Sequence, residues 1–344
     1  MLAAFARAAR DLVVQDVSMP EPRPGEALVR LEAAGICGSD LHFHRSGRHN
    51  DPPRFAGGHE IAGTVVSIDA AEAELAPGVR VAVEPIVACL ACRYCAAGNR
   101  QLCVHLAHVA VGFAEFAAVP RDSLHVLPTG LSSEEAALAD VVAVALHAVR
   151  RVPLRQEDSA VIVGDGPLGL VVAALLARSE RRWLAVVGSH EHSLAVARRL
   201  GVDHVATHRE TGLPGAVLEA TNGVGADVVY ECVGGDGRSL ALAMELARPG
   251  GTVAVLGACP PPSTVDLKRP LLKEANLRFC FSYGTWNGRS EFADAIDLLD
   301  GGVIPTAALV THRFPLRQIQ AAFEAALDRT ASRAIKVVVA ECGR

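Results

Sequence analysis

Two short glycine-flanked motifs near the start of the chain carry residues that bind metals. The first, Gly-Ile-Cys-Gly-Ser-Asp-Leu-His, begins at Gly35 and contains Cys37, and the second, Gly-Gly-His-Glu, contains His59. Thiolate and imidazole are ligands that Zn²⁺ favours, and a catalytic zinc needs a third protein ligand and an open position. Asp140 can be that third ligand, because it lies in the apolar run 136–144, where a bare carboxylate would be costly to bury.

A second metal site is predicted from four cysteines within residues 89–103. They are separated by two, two and seven residues. Short loops of this kind can wrap one ion tetrahedrally, as in the closed four-cysteine sites of structural zinc. The predicted ligands are Cys89, Cys92, Cys95 and Cys103.

The first motif also carries residues that can move a proton. A zinc ion with an open position lowers the pKa of a bound hydroxyl toward neutrality, so that the hydroxyl can lose its proton without a strong base. The proton must then leave the site. Ser39 is placed to accept and pass it, and His42 to hand it to solvent. A turn hydrogen bond for Ser39 and a solvated loop position for His42 are the alternatives.

A glycine-rich turn in the middle of the chain predicts a dinucleotide site. The apolar strand pattern of residues 159–163 runs into Gly-Asp-Gly-Pro-Leu-Gly, and a helical pattern follows. Gly164 allows the tight turn, Gly166 lets backbone N–H groups reach the pyrophosphate, and Gly169 lets helix and strand pack closely. The predicted cofactor-binding residues of this turn are Gly164, Gly166, Pro167, Leu168 and Gly169.

The end of the next strand predicts which cofactor binds. In NAD-specific sheets this strand ends with an acidic residue about 20 positions past the glycine motif. Here the strand of residues 183–187 ends at Gly188, Ser189 and His190. A glycine leaves room for a 2′-phosphate, the serine can donate to it, and the histidine can add positive charge when protonated. Glu191 is the counter-argument, but the pattern favours NADP over NAD.

The elements that position these motifs predict an α/β protein in two parts. The first part is β-rich, and its two metal motifs are expected in loops between strands. Ser132 begins a helix of the capping-box type, which places Asp140 inside that helix. From residue 159 onward, strands alternate with helices, and this pattern predicts a doubly wound parallel sheet.

These motifs resemble the zinc-dependent medium-chain dehydrogenase/reductase family, which includes alcohol, sorbitol and threonine dehydrogenases. The resemblance covers essentially the whole chain. It implies a GroES-like catalytic domain of residues 1–150 and 286–344, with a structural-zinc lobe at 89–103, and a Rossmann cofactor domain of residues 151–285. It also implies that the closing strand, predicted at residues 334–340, rejoins the first domain and that Glu60 lies close behind the catalytic metal as an alternate ligand.

The resemblance implies reversible oxidation of a secondary alcohol or polyol, of sugar or cyclitol type, to a ketone. The expected cofactors are two zinc ions per chain and NADP rather than NAD. The expected partners are a small alcohol or ketone substrate and further copies of the chain, in a homodimer or homotetramer. An aldehyde or primary-alcohol reductase of the same family, and a nucleotide-binding sensor without catalysis, are the alternatives.

Composition narrows the classes of partner, location and cysteine chemistry that the protein can have. The 344-residue chain has a formal net charge of −5 and no basic block, which speaks against a nucleic acid or membrane-surface partner and against a zinc-finger reading of the cysteine lobe. The lack of a long apolar stretch predicts a cytoplasmic protein. Its cysteines then serve as metal ligands or free thiols rather than disulfides. Ordinary thiols or solvated loop histidines are expected at Cys232, Cys259, Cys280, Cys342, His44 and His49.

Overall fold

The computed structural model describes residues 1–47, 56–69, 75–210, 212–258 and 263–340. The chain separates into two compact units. The first contains Met1–Asp140, Gly284–Gly302 and Thr306–Arg344, and the second contains Val141–Tyr283 and Val303–Pro305. The predicted catalytic and cofactor domains, with bounds at 150/151 and 285/286, stay a prediction. Within the described residues, every helix is too short or too polar to cross a bilayer.

The elements are numbered in chain order. The strands are β1 (Leu2–Ala8), β2 (Asp11–Asp16), β3 (Glu26–Gly35), β4 (Glu60–Ile68), β5 (Arg80–Val83), β6 (Ile86–Val87), β7 (Ala107–His108), β8 (Phe116–Pro120), β9 (Leu124–Val126), β10 (Ser159–Val163), β11 (Trp183–Gly188), β12 (His204–Thr207), β13 (Ala226–Glu231), β14 (Ala247–Val255), β15 (Asn276–Phe279), β16 (Thr285–Trp286), β17 (Arg289–Ser290), β18 (Val310–Pro315) and β19 (Lys336–Ala340). The helices are α1 (Gly38–Ser46), α2 (Arg93–Ala96), α3 (Ser133–Ala136), α4 (Ala139–Arg151), α5 (Pro167–Leu176), α6 (Glu191–Arg199), α7 (Leu213–Ala220), α8 (Arg238–Leu246), α9 (Lys268–Leu272), α10 (Glu291–Asp300), α11 (Thr306–Leu309), α12 (Ile319–Leu327) and α13 (Arg329–Ser332).

The first unit is organised around β3. This strand pairs antiparallel with β4, β8 and β19 in a seven-stranded sheet. Its register places Gly35 opposite Glu60 of β4 and opposite Val338 of β19. The closing strand therefore returns to the first unit, as the resemblance implies. Val29 and Leu31 of β3 are fully buried in a core that also contains Phe323 of α12, so one face of the sheet is covered by apolar side chains.

The second unit contains a six-stranded parallel sheet in the order β12-β11-β10-β13-β14-β15. This arrangement confirms the predicted doubly wound sheet. All residues of β10 are buried, which explains why that strand reads as a continuous apolar run rather than an alternating one. The order reverses direction between β10 and β13, and ligands of such sheets bind beyond the carboxyl ends of the strands at this point.

Two local predictions in the first unit are wrong. The segment after Cys37 is not a loop but helix α1, because Asp40 at its third position accepts a hydrogen bond from the Cys37 backbone N–H at 2.8 Å and caps the helix start. His44 is not solvated: it is 1% exposed, and its ring lies 4.9 Å from that of Phe323. The predictions for His49, Cys259 and Cys342 lie outside the described residues.

The helix before Asp140 is divided in two. Ser132 and Glu135 form the predicted capping box, in which the Ser132 hydroxyl accepts from the Glu135 backbone N–H at 3.3 Å. The helix ends at Ala136, however, and Asp140 lies in the first turn of the next helix, α4. A carboxylate in the first turn is favoured by the helix dipole, so Asp140 has a local reason to be there besides any metal.

Candidate metal centres and nucleotide site

Strand register brings the two motifs of the first unit together. Because Gly35 pairs with Glu60, the residues just beyond the end of β3 and just before the start of β4 lie at the same end of the ladder. Ligand atoms of Cys37, His59 and Glu60 all lie within 4.8 Å of one another. Glycine is required at Gly35, since a Cβ there would lie 1.9 Å from a carboxylate oxygen of Glu60.

Two aspartates lie beside this cluster, and the group of ligand atoms within 4.8 Å of one another includes neither of them. Asp140 lies with its Oδ2 3.8 Å from His59 Nε2, close to the separation of about 3.4 Å expected for two ligands on one tetrahedral ion. Asp40 accepts hydrogen bonds from the backbone N–H groups of Cys37 and Gly58 and lies 3.7 Å from His59 Nδ1. It therefore fixes the backbone of both ligand segments and lies beside the His59 ring, as residues behind a metal site commonly do.

The charge of the cluster suits a divalent cation. It gathers the thiol of Cys37 with the carboxylates of Asp40, Glu60 and Asp140. Burial opposes protonation of His59, but Cys37 and Asp40 outweigh it and raise the pKa of His59 well above its usual value. Glu60 Oε1 is buried and has no hydrogen-bond partner among the described residues. A buried carboxylate oxygen without a partner is costly, and a metal ion at this centre would remove the cost.

Lys336 is a component of the centre that the sequence analysis missed. It is 2% exposed, it forms an ion pair with Glu60 Oε2, and it donates to the Ile36 carbonyl at 3.1 Å. It thus connects the residue before Cys37 with the residue after His59. No motif marks it, because it comes from the other end of the chain on β19.

The two predicted proton-transfer residues lie on α1. Ser39 is half-buried in the first turn, and His42 is exposed one turn later. Residues three apart on a helix are neighbours on its surface. Helix α1 therefore begins directly after Cys37 and reaches solvent one turn later, at His42.

The cysteine lobe has the geometry of a tetrahedral thiolate site. The four sulfur atoms lie within 4.8 Å of one another, with Cys89 4.0 Å and Cys92 3.5 Å from Cys95. Zinc–sulfur bonds of about 2.3 Å imply sulfur separations of about 3.8 Å. Backbone N–H groups of Cys89 and His105 donate to Cys103 Sγ. These cysteines are free thiols, so the donor set fits a zinc ion.

The glycine turn of the second unit has the shape that a dinucleotide phosphate requires. Gly164 has a φ of 126°, which only glycine adopts without strain, and a Cβ on Gly169 would lie 2.0 Å from the Gly164 carbonyl oxygen. Gly166 is the N-cap of α5, and Pro167 and Leu168 form its first turn without a side-chain cap. The start of this helix can therefore receive a phosphate.

Glu231 is a second residue that the sequence analysis missed. It ends β13 with 0% exposure, and its Oε1 accepts from the backbone N–H groups of Val233 at 2.9 Å and Gly234 at 2.8 Å. The loop of Val233 and Gly234 that Glu231 holds lies beside the glycine turn, since a Cβ on Gly164 would come within 2.9 Å of the Val233 side chain. An acidic residue at the end of an apolar strand was the available signal.

The predicted 2′-phosphate residues lie at the end of β11. Gly188 is buried, Ser189 is exposed, and His190 is the N-cap of α6. Ser189 Oγ lies 3.1 Å from Nδ1 of His208, a histidine that the sequence analysis did not assign to the site. Glu191, the counter-argument to a phosphate, forms an ion pair with Arg198 of the same helix.

Comparison with known proteins matches both units. The family model described as "Alcohol dehydrogenase GroES-like domain" matches residues 23–129, and the one described as "Zinc-binding dehydrogenase" matches residues 167–301. The chain is 30% identical to a sorbitol dehydrogenase of Bacillus subtilis over 95% of its own length and 94% of the relative's. It is also 30% identical to an L-threonine 3-dehydrogenase of Anaeromyxobacter dehalogenans over 90% of each chain.

A solved structure matches the fold of both units. A zinc-binding dehydrogenase of Sinorhizobium meliloti, crystallised with NADP bound, superposes with a TM-score of 0.84 over 98% of both chains at 27% identity. The predicted pairing of a GroES-like part with a Rossmann part is confirmed. The chain therefore belongs to the zinc-dependent medium-chain dehydrogenase/reductase family.

Proposed function

We propose that the protein oxidises a secondary alcohol or polyol to a ketone, and catalyses the reverse reduction, with zinc and NAD(P). The observation that carries the proposal is the convergence of Cys37, His59 and Glu60, whose ligand atoms lie within 4.8 Å of one another, with Asp140 Oδ2 3.8 Å from His59 Nε2. The relatives named for sorbitol and L-threonine support this substrate class, because oxidation at carbon 3 of threonine acts on a secondary hydroxyl.

In this reaction Cys37, His59 and Asp140 would hold the zinc ion, which when bound supplies a Lewis acid for the substrate oxygen. The side chain of Ser39 accepts the hydroxyl proton and His42 passes it to solvent. Asp40 holds the backbone at Cys37 and Gly58, and its carboxylate faces His59 Nδ1. Glu60 is held by Lys336 through Oε2, its Oε1 has no hydrogen-bond partner among the described residues, and it would serve as an alternate ligand.

We further propose two zinc ions per chain, the second on Cys89, Cys92, Cys95 and Cys103. Its role is structural, because all four donors are thiols and leave no open position. Loss of this ion should cost stability, whereas loss of the first should cost activity.

NADP is the proposed preferred cofactor. Three observations support it: Gly188 itself has no side chain, an exposed hydroxyl follows at Ser189, and the imidazole of His208 lies 3.1 Å from that hydroxyl. The carboxylate of Glu191 pairs with Arg198, which weakens the argument against a 2′-phosphate.

A homo-oligomer, either dimer or tetramer, is proposed from the edge of the parallel sheet. β15 is the last strand of that sheet, and it ends in Phe279, which is 66% exposed. Leu271 and Leu272 of the neighbouring helix α9 are each 75% exposed. An apolar sheet edge of this kind is a template for pairing with another chain. The predicted cytoplasmic location stays a prediction.

The test is a substrate panel. The zinc-loaded protein is assayed with polyols, cyclitols, amino alcohols, simple secondary alcohols, primary alcohols and aldehydes, and formation of reduced nicotinamide is followed by absorbance. Activity restricted to primary alcohols and aldehydes would favour the reductase alternative. Binding of nucleotide without turnover of any compound would favour the sensor alternative. The His59→Ala variant should be inactive, while His312→Ala, at a histidine of β18 outside the group of ligand atoms, should retain activity.

A further inference from the structure

Asp165, the second residue of the glycine turn, reaches across the sheet to the end of the next strand. Its Oδ2 accepts hydrogen bonds from the backbone N–H groups of Ser189 at 2.7 Å and His190 at 2.6 Å. Nδ1 of the His190 ring lies 3.2 Å from the same oxygen. Asp165 is 4% exposed. A carboxylate of the turn that follows β10 is thus held at the carboxyl end of β11.

This carboxylate explains Gly188 without reference to a phosphate. A Cβ on Gly188 would lie 2.5 Å from Cβ and 2.7 Å from Oδ2 of Asp165, so no side chain fits there while Asp165 keeps its position. NAD-specific sheets hold an acidic residue at the end of this strand. In this protein the strand end has a carboxylate as well, but one supplied by the glycine turn.

The same carboxylate occupies the groups that an incoming anion would use. The N–H groups of Ser189 and His190 lie at the start of α6, where backbone donors and the helix dipole favour negative charge. Both already donate to Asp165. The charge of a protonated His190 would likewise be spent on Asp165, because that carboxylate is within hydrogen-bond distance of its ring.

We propose that Asp165 determines how strongly the site discriminates between NADP and NAD: it competes with the 2′-phosphate for the donors at the end of β11 and holds the preference for NADP low. The inference rests on the proposed function, in which a nicotinamide dinucleotide binds at the glycine turn. It adds a specificity-determining residue that the strand-end pattern of Gly188, Ser189 and His190 does not contain.

The test measures nucleotide binding in the absence of any alcohol. Affinities of the zinc-loaded protein for adenosine 2′,5′-bisphosphate and for adenosine 5′-monophosphate are compared by calorimetry at one ionic strength, because screening changes both. In Asp165→Asn, the preference for the 2′-phosphorylated ligand should rise about tenfold over wild type, or about 1.4 kcal/mol. The amide keeps the shape and an acceptor oxygen for one N–H group but loses the charge.

Asp227→Asn is the matched control. Asp227 also accepts from a backbone N–H group of the sheet, that of Ser159 at 2.8 Å, but at the start of β10 rather than at the carboxyl ends of the strands. Its preference ratio should equal that of wild type. An Asp165→Asn protein that binds both ligands with a ratio within twofold of wild type would overturn the proposal.

Gly188→Ala gives an independent test if Asp165→Asn does not fold. Its methyl group must displace Asp165 from the strand end, so the proposal expects a higher preference for the 2′-phosphorylated ligand. If Gly188 merely provides room for the phosphate, the preference should fall instead. Absence of binding of both ligands to the wild-type protein would reject the proposed function itself, whereas unchanged ratios in proteins that bind would reject only the role of Asp165.

Discussion

Replacement of Lys336 by methionine should destabilise the first unit by about 3–5 kcal/mol, the usual cost of removing one partner of a buried ion pair. The side chains of Lys336 and Glu60 are 2% and 1% exposed, so the low value of about 0–1 kcal/mol for surface pairs does not apply. The variant leaves the Glu60 carboxylate buried without its counter-charge and removes a donor to the Ile36 carbonyl.

The assay can be made specific for the first unit. The chain has two tryptophans, Trp286 in the first unit and Trp183 in the second. In a Trp183→Phe background, urea unfolding followed by fluorescence therefore reports the first unit. Burial lowers the pKa of Lys336, but Glu60 and Cys37 outweigh it, and the pKa is raised above 10.5. The stabilisation is then fully present below pH 10.5 and lost only as pH rises through the folded pKa, so neutral pH is suitable.

A double-mutant cycle tests the reason for the effect. Glu60→Gln combined with Lys336→Met removes both charges, so the double variant should be more stable than the sum of the single variants predicts, by about 0.5–3 kcal/mol. Lys268→Met, at an exposed lysine of α9, should change stability by no more than about 0.5 kcal/mol. Loss of less than about 1 kcal/mol in Lys336→Met, or strict additivity in the cycle, would refute the buried ion pair as a stabilising connection of the ligand segments.

The remaining predictions concern the metals and the assembly. After zinc is stripped, iodoacetamide near neutral pH should label Cys92 before Cys95. Backbone N–H donation from Cys95 lowers the pKa of Cys92 to about 6, whereas burial raises the pKa of Cys95 to about 12. Equal labelling of the two cysteines in peptide mapping would contradict this. His59→Ala and Asp140→Ala should each lower kcat/KM at least about a thousandfold, roughly 4 kcal/mol, and reduce zinc analysis from two ions per chain to one with unchanged circular dichroism. Phe279→Lys should convert the oligomer to a smaller species in light scattering, and an unchanged mass would exclude β15 as the contact.

Local spacing was sufficient for the parts of the site that are local in sequence. The four cysteines of the lobe lie within one short segment, so their clustering follows from chain connectivity alone. The glycine turn was also readable, because its geometry depends on backbone freedom at Gly164 and close packing at Gly169, which only glycine provides. The alternation of strands and helices is likewise a pattern of neighbouring segments, and it was sufficient to predict the parallel sheet.

Contacts between segments that are distant in the chain could not be predicted from the sequence. Lys336 and Glu60 are separated by 276 positions, and a single lysine in a closing strand has no pattern that distinguishes it from a surface residue. His44 stands in a polar stretch of the sequence. Its burial depends on Phe323 of α12, and the hydrophobic periodicity of the sequence does not predict that α12 packs against α1. Asp165 stands within a recognised motif, yet at a position that the motif leaves free, so its reach to β11 depends on strand order in the folded sheet.

The register of β3 brings the residues of the candidate metal centre to one place, which the motifs alone do not explain. Gly35 pairs with Glu60 on one side and with Val338 on the other. These two pairings bring Cys37, just after β3, His59, just before β4, and Lys336, at the start of β19, to the same end of the sheet. A slip of one residue in either pairing would turn the side chains that follow to the opposite face. The two buried charges at this end, on Lys336 and Glu60, penalise such a slip because each would lose its partner. The ion pair behind the ligands therefore helps to specify the register on which the ligand geometry depends.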